Sequence, residues 1–180
     1  MKKFLKLTLA GALMLCSSSV FAQKFGRVDL AVIIPNMAEY KEASANLETY
    51  AKDLQDQLEA IQVEFNTRLA DFEKNAGTMT DSVKQLKETE LGQLQQRYRD
   101  FSQIAQQDLS KKEQELMLPV FDKANEAVKK ISQAGGYLVV FNTSNSAAAG
   151  LAYFDEAALT DITDAVKREL NVTEDTSTAN

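Results

Sequence analysis

The sequence predicts a mainly α-helical fold with a small β body, in which one long antiparallel helical hairpin projects from a barrel-like body shared between copies of the chain. Three observations predict it. Two long helix-forming stretches carry heptad-like apolar stripes. A glycine-bearing break lies at the centre of their mutual register. Short apolar segments of strand character sit at both ends of the chain, outside the two helices.

The first element is an export signal over residues 1–22. Met1-Lys2-Lys3 and Lys6 form a basic start, Leu7 to Cys16 an apolar run, and Val20 and Ala22 the small-residue cleavage positions. The run is too short for a typical spanning helix, so no stable membrane anchor is expected. Cys16 follows Met14-Leu15 rather than a small residue, which disfavours lipid attachment. Cleavage before Gln23 leaves a chain with no cysteine, so the fold cannot rely on disulfides. It also removes three lysines, taking 20 basic residues to 17 against 26 acidic ones, a net charge of −9. Nucleic acid and anionic lipid are thereby disfavoured as partners. The absence of histidine and tryptophan removes the usual residues of triads, zinc sites and imidazole acid-base chemistry, so no enzyme, cofactor or metal centre is expected.

Next, Phe25 to Ile34 alternates, with Val28, Leu30, Val32 and Ile34 on one face and Arg27 and Asp29 on the other, as in a half-buried strand. Pro35-Asn36 ends it. From Met37 to about Lys74 there is neither glycine nor proline, and Leu47, Ala51, Leu54, Leu58, Ile61 and Phe65 recur at four- and three-residue steps. Residues 75–82 are turn and cap formers. A second helix is expected from Val83 to about Ala134, striped by Leu91, Leu94, Tyr98, Phe101, Ala105, Leu109 and Leu116 and stopped by Gly135-Gly136.

Residues that face each other across an antiparallel hairpin have position numbers with a constant sum. Pairing Leu47 with Leu109, Ala51 with Ala105, Leu58 with Tyr98 and Phe65 with Leu91 gives 156 each time, whose half falls on Gly77-Thr78. The same register sets Pro119 opposite Asn36 and Met37, beside Pro35, which marks the base of the hairpin. An arm over residues 37–119 follows, with its tip near 75–82 and a reach of roughly 57 Å.

Beyond it, Tyr137-Leu138-Val139-Val140-Phe141 reads as a buried central strand, and Leu151 to Phe154 as a short further one. Thr160 or Asp161 caps a last helix that buries Ile162, Ala165, Val166 and Leu170. The body is thus discontinuous, residues 23–36 and 120–171, with a flexible tail at 172–180. So small a body is marginal as a lone core, and a homo-oligomer is expected, held through Val28, Leu30, Val32, Ile34, Leu138 and Val140.

These segments carry a family resemblance. Gly26-Arg27-Val28-Asp29-Leu30 before a long helix, Gly136 to Asn142 after one, and Leu151-Ala152-Tyr153-Phe154 with Leu159 to Leu170 resemble, in order, the Skp/OmpH family of periplasmic chaperones. The resemblance implies a periplasmic trimer whose body carries three helical tentacles around a cavity, holding unfolded outer-membrane proteins without ATP. One departure stands out. The best-known members are basic, whereas the two arms here, Met37–Lys74 and Asp81–Pro119, carry 10 basic residues against 16 acids.

Val63, Met79 and Ile104 lie off the seam or at the tip and are candidate client contacts; the competing reading is flanking packing for Val63 and Ile104 and tip burial for Met79. A structural envelope protein, whose arm spaces or tethers other components, is the alternative to a holdase.

Overall fold

A computed structural model describes residues 23–144 and 155–172. Strand β1, Lys24–Val28, is followed by a single helical turn, α1, Leu30–Ile33, and a 3-10 turn, Ile34–Asn36. Two long helices come next, α2 at Ala38–Asn75 and α3 at Asp81–Gly135. The chain returns through strand β2, Tyr137–Asn142, and after residues 145–154 continues into β3, Thr160–Asp161, and helix α4, Thr163–Glu169.

The long helices begin and end where local chemistry dictates. Glu39 in the first turn of α2 and Lys74 in its last oppose the helix dipole correctly. At the tip the Thr78 N–H and hydroxyl both donate to the Asn75 carbonyl, and Thr80 in extended conformation opens α3. At the far end Gly136 takes φ 68° and returns its N–H to the Gln133 and Ser132 carbonyls, a left-handed cap that suits glycine. Between these ends α3 is unbroken through Pro119.

Three expectations are corrected in the body. The first strand stops at Val28 instead of reaching Ile34. The Asp29 carboxylate accepts the Ala31 N–H at 3.0 Å, and the Asp29 N–H donates to the Thr163 hydroxyl at 3.1 Å, so capping replaces ladder bonds there. The partner strand also runs out, since Val28 pairs with Asn142, the last residue of β2. Leu30, Val32 and Ile34 are consequently not on one strand face.

Second, among the described strands β2 lies at the edge, not in the centre. The order is β2-β1-β3 with both pairings parallel, which puts β1 in the middle. Leu138 is 60 % exposed and Val139 39 %. Third, the described strands form a three-stranded open sheet rather than a closed barrel. Thr160 and Asp161 belong to β3, yet the Asp161 carboxylate still accepts the Thr163 N–H at 2.9 Å. The signal segment, the Leu151–Phe154 strand and the tail beyond Val172 lie outside the described residues.

One core joins the body to the base of the helices. Val28, Ile33, Ile34 and Met37 from the entering chain pack with Val120, Ala124 and Ala127 of α3 and with Ile162 and Val166 around α4. Along the paired helices the buried positions are Ala43, Leu54 and Ile61 on α2 and Ala105 on α3. Past Ile61 toward the tip, no described residue of either helix is fully buried until Ala105 on the way back.

Gly136→Ala places a Cβ on a left-handed backbone and is expected to lower stability by about 1–2 kcal/mol. Gly77→Ala meets open space at the tip and should not destabilise. Urea denaturation of both variants beside the parent checks the pair.

Candidate functional site

Residues placed by their sequence pattern as functional are scattered over the surface. Val63 on α2 is 55 % exposed, and Ile104 on α3 is 51 % exposed. Met79 is half-buried in the tip turn. Ile104 lines a shallow hollow on α3 with Gln96, Arg97, Asp100 and Phe101, whereas Val63 lies well toward the tip on the other helix. The three do not converge on one site.

The body residues divide differently. Val28 and Ile34 are buried in the subunit's own core, and Leu30 and Val140 are half-buried against it. Val32, 43 % exposed, and Leu138 are left facing outward, together with Phe25 and Val139.

One apolar hollow among the described residues lies away from the positions that the sequence pattern marks. It is a groove of about 590 Å³ at the base of the hairpin, formed by Tyr40 of α2 with Glu113, Gln114, Met117, Leu118 and Phe121 of α3. Leu118 is 62 % exposed and Phe121 45 %. The α3 residues recur at three- and four-residue steps and so form one stripe beside the seam. The signal was present: Leu116, Met117, Leu118, Val120 and Phe121 make an apolar band wider than a two-helix seam requires.

Charge organises the rest of the surface. At mid-arm Glu64 of α2 faces Arg97 of α3 at 3.5 Å and Arg68 of its own helix at 3.9 Å. Nearby, the Lys87 ammonium holds the Glu90 carboxyl below its usual range. At the base Lys123 of α3 donates to Glu39 of α2. Lys130 ties α3 to Glu169 of α4 at 2.6 Å, and Arg27 ties β1 to Asp161 of β3 at 2.9 Å. The Asp161 carboxyl is held low, first by its hydrogen bonds from Thr163 and further by Arg27. The pairs of Glu64 with Arg97, Lys123 with Glu39, Lys130 with Glu169 and Arg27 with Asp161 join elements, whereas Lys87–Glu90 lies within α3. Among the described residues no group of three histidine, cysteine or acidic side chains could hold a metal, and no helix is long and apolar enough to cross a membrane.

The hydrogen bond from Lys123 lowers the Glu39 pKa from its ordinary 4.5. A depressed carboxyl stabilises the fold above that value and loses its contribution as pH falls through the folded pKa. Glu39→Gln is therefore expected to cost less than about 1 kcal/mol at neutral pH, since both partners are substantially solvated. Thermal melts should show the gap between variant and parent closing as the pH drops below 4.5.

Comparison with known proteins places this architecture. The model of the family described as "Outer membrane protein (OmpH-like)" matches residues 24–170. The chain is 28 % identical over 151 residues to a chaperone protein Skp of Vibrio cholerae, covering 81 % of this chain and 89 % of the relative. It is 25 % identical over 144 residues to a chaperone protein Skp of Yersinia enterocolitica, covering 80 % and 88 %. A crystal structure of an OmpH-like outer membrane chaperone from Caulobacter crescentus superimposes with a TM-score of 0.69 at 16 % identity, over 88 % of this chain and 89 % of that one. The match spans both ends of the body and the whole hairpin between them, and the chain belongs to the OmpH-like outer membrane protein family.

Proposed function

We propose that the protein is an ATP-independent holdase of the periplasm that keeps unfolded outer-membrane proteins from aggregating. The observation that carries this reading is the uncovered apolar surface along a long, otherwise polar hairpin. Tyr40, Met117, Leu118 and Phe121 at the base and Phe101 and Ile104 farther out offer repeated non-directional contacts. Weak contacts of that kind tolerate varied sequences, and several acting together on one client chain hold it through effective concentration. The family and the names of the Vibrio and Yersinia relatives support the same role. A spacer protein would have no use for exposed leucine and phenylalanine at the arm base.

The holding space is formed by several arms, in a homo-oligomer that we take to be a trimer. The outer edge of β2 is unpaired among the described strands, and Leu138, Val139 and Val32 are exposed beside it, which supports assembly there. Val63, Met79 and Ile104 remain as client contacts farther along the arms. The arm comprises residues 37–119 and the body residues 23–36 and 120–171, preceded by a cleaved signal over 1–22.

Two measurements decide these readings. Light scattering of a β-barrel client diluted from urea should fall to near baseline at close to stoichiometric protein without nucleotide; unchanged scattering at every ratio would return the chain to the spacer role. Leu138→Asp puts a charge at an exposed edge position that the subunit's own core does not need. Mass measurement in solution is expected to show the parent as an oligomer and this variant shifted toward monomer, and a monomeric parent would remove the shared-body proposal.

A further inference from the structure

We propose that the groove at the base of the hairpin selects stretches of unfolded polypeptide in which aliphatic or aromatic residues are accompanied by lysine or arginine. The inference rests on the client-holding role and names the class of segment that this one surface takes.

The geometry supplies the apolar half of the preference. The groove, about 590 Å³, is walled by Tyr40, Met117, Leu118 and Phe121, enough room for a large side chain and its neighbours. The hollow at mid-arm is different in kind, because Glu64, Arg68, Glu90 and Arg97 line it with charges that pair with one another or with Lys87. The cleft between α3 and α4 is likewise lined by lysines and glutamates, with Lys130 bonded to Glu169. Apolar lining with exposed leucine and phenylalanine therefore sets the base groove apart from both.

Charge supplies the other half. Glu113 is the one charged side chain in the groove lining, and no ion pair among the described residues holds it. The nearest cation along α3, Lys112, is engaged by Glu115 at 3.3 Å. Lys111 sits two positions from Glu113, a spacing that faces away on a helix. The arms around the groove carry 16 acids to 10 basic residues. A cation beside the bound apolar residue meets a carboxylate that no ion pair among the described residues holds, in a negative field, whereas an acid in the same place meets repulsion.

The protein contains no tryptophan, so a tryptophan in a peptide reports binding without background. Two peptides of one length and apolar pattern, each with a central tryptophan, are compared on the mature chain in its native assembly. One carries lysines beside the apolar residues and the other glutamates. The lysine peptide is expected to bind about tenfold more tightly in dilute salt, with the difference shrinking toward equality at about 0.5 M salt as screening shortens. Glu113→Lys should erase or reverse the preference. Phe121→Ser with Leu118→Ser should weaken both peptides severalfold, and both side chains are exposed enough for the subunit to keep its fold.

Equal affinity for the two peptides, preference for the glutamate peptide, or unaltered binding by the double serine variant overturns the proposal. So does a double variant whose assembly mass drops, since a second copy then covers the groove. If the parent suppresses client aggregation while showing no peptide preference, only this selectivity fails. If peptides bind as expected while clients still aggregate, the holdase reading fails instead.

Discussion

Parallel pairing of β1 with β2 is the constraint on which the rest of the molecule depends. Parallel neighbours cannot be joined by a tight turn, because the chain must return to the end from which the first strand started. Here everything from Asp29 to Gly136 is that connection, and the long hairpin is a crossover grown far beyond what closure needs. β3 then joins the other side of β1, again in parallel, so five residues of β1 hold both distant parts of the chain. The core directly beneath follows from the same arrangement. Ile33 and Met37 enter α2 just after β1, Val120 and Ala124 leave through α3 just before β2, and Ile162 and Val166 close over them after β3. Body stability and arm anchorage are therefore one packing problem, in which Ile33, Met37 and Val166 are almost entirely enclosed.

Away from that core the balance of forces changes along the arm. The basal part is held by buried apolar side chains, the distal part by half-buried ones and by ion pairs such as Glu64 with Arg97. Solvated ion pairs contribute little each, so local opening costs less toward the tip than at the base. Such a gradient lets the outer arm adjust without disturbing the sheet.

Several ion pairs join elements, such as Glu39 with Lys123 and Glu169 with Lys130, while uncovered apolar residues run along both arms, from Leu118 and Phe121 at the base to Val63, Val83 and Leu86 toward the tip. Placing the apolar groove at the base, beside the core, keeps its walls in position. The arms carry 16 acidic against 10 basic residues, so the field along them is net negative.

By itself the sequence determined the two long helices, their stop at Gly136, the turn around Gly77 and the seam through Leu54, Ile61 and Ala105. Those features are written in local periodicity and in residues with special backbone freedom, repeated over enough turns to be unambiguous. Tertiary structure decided the body. Val28, Leu30, Val32 and Ile34 alternate as a strand would, but the length of β2 and the caps at Asp29 end the ladder at Val28. The apolar run from Tyr137 to Phe141 looks central, yet strand order is set by pairings between residues more than a hundred positions apart, which no local pattern records. The groove at Tyr40, Met117, Leu118 and Phe121 was half legible, since the wide apolar band was visible and its position beside α2 was not. Which face of a helix meets its neighbour, and which is left to solvent, is decided only when both helices are in place.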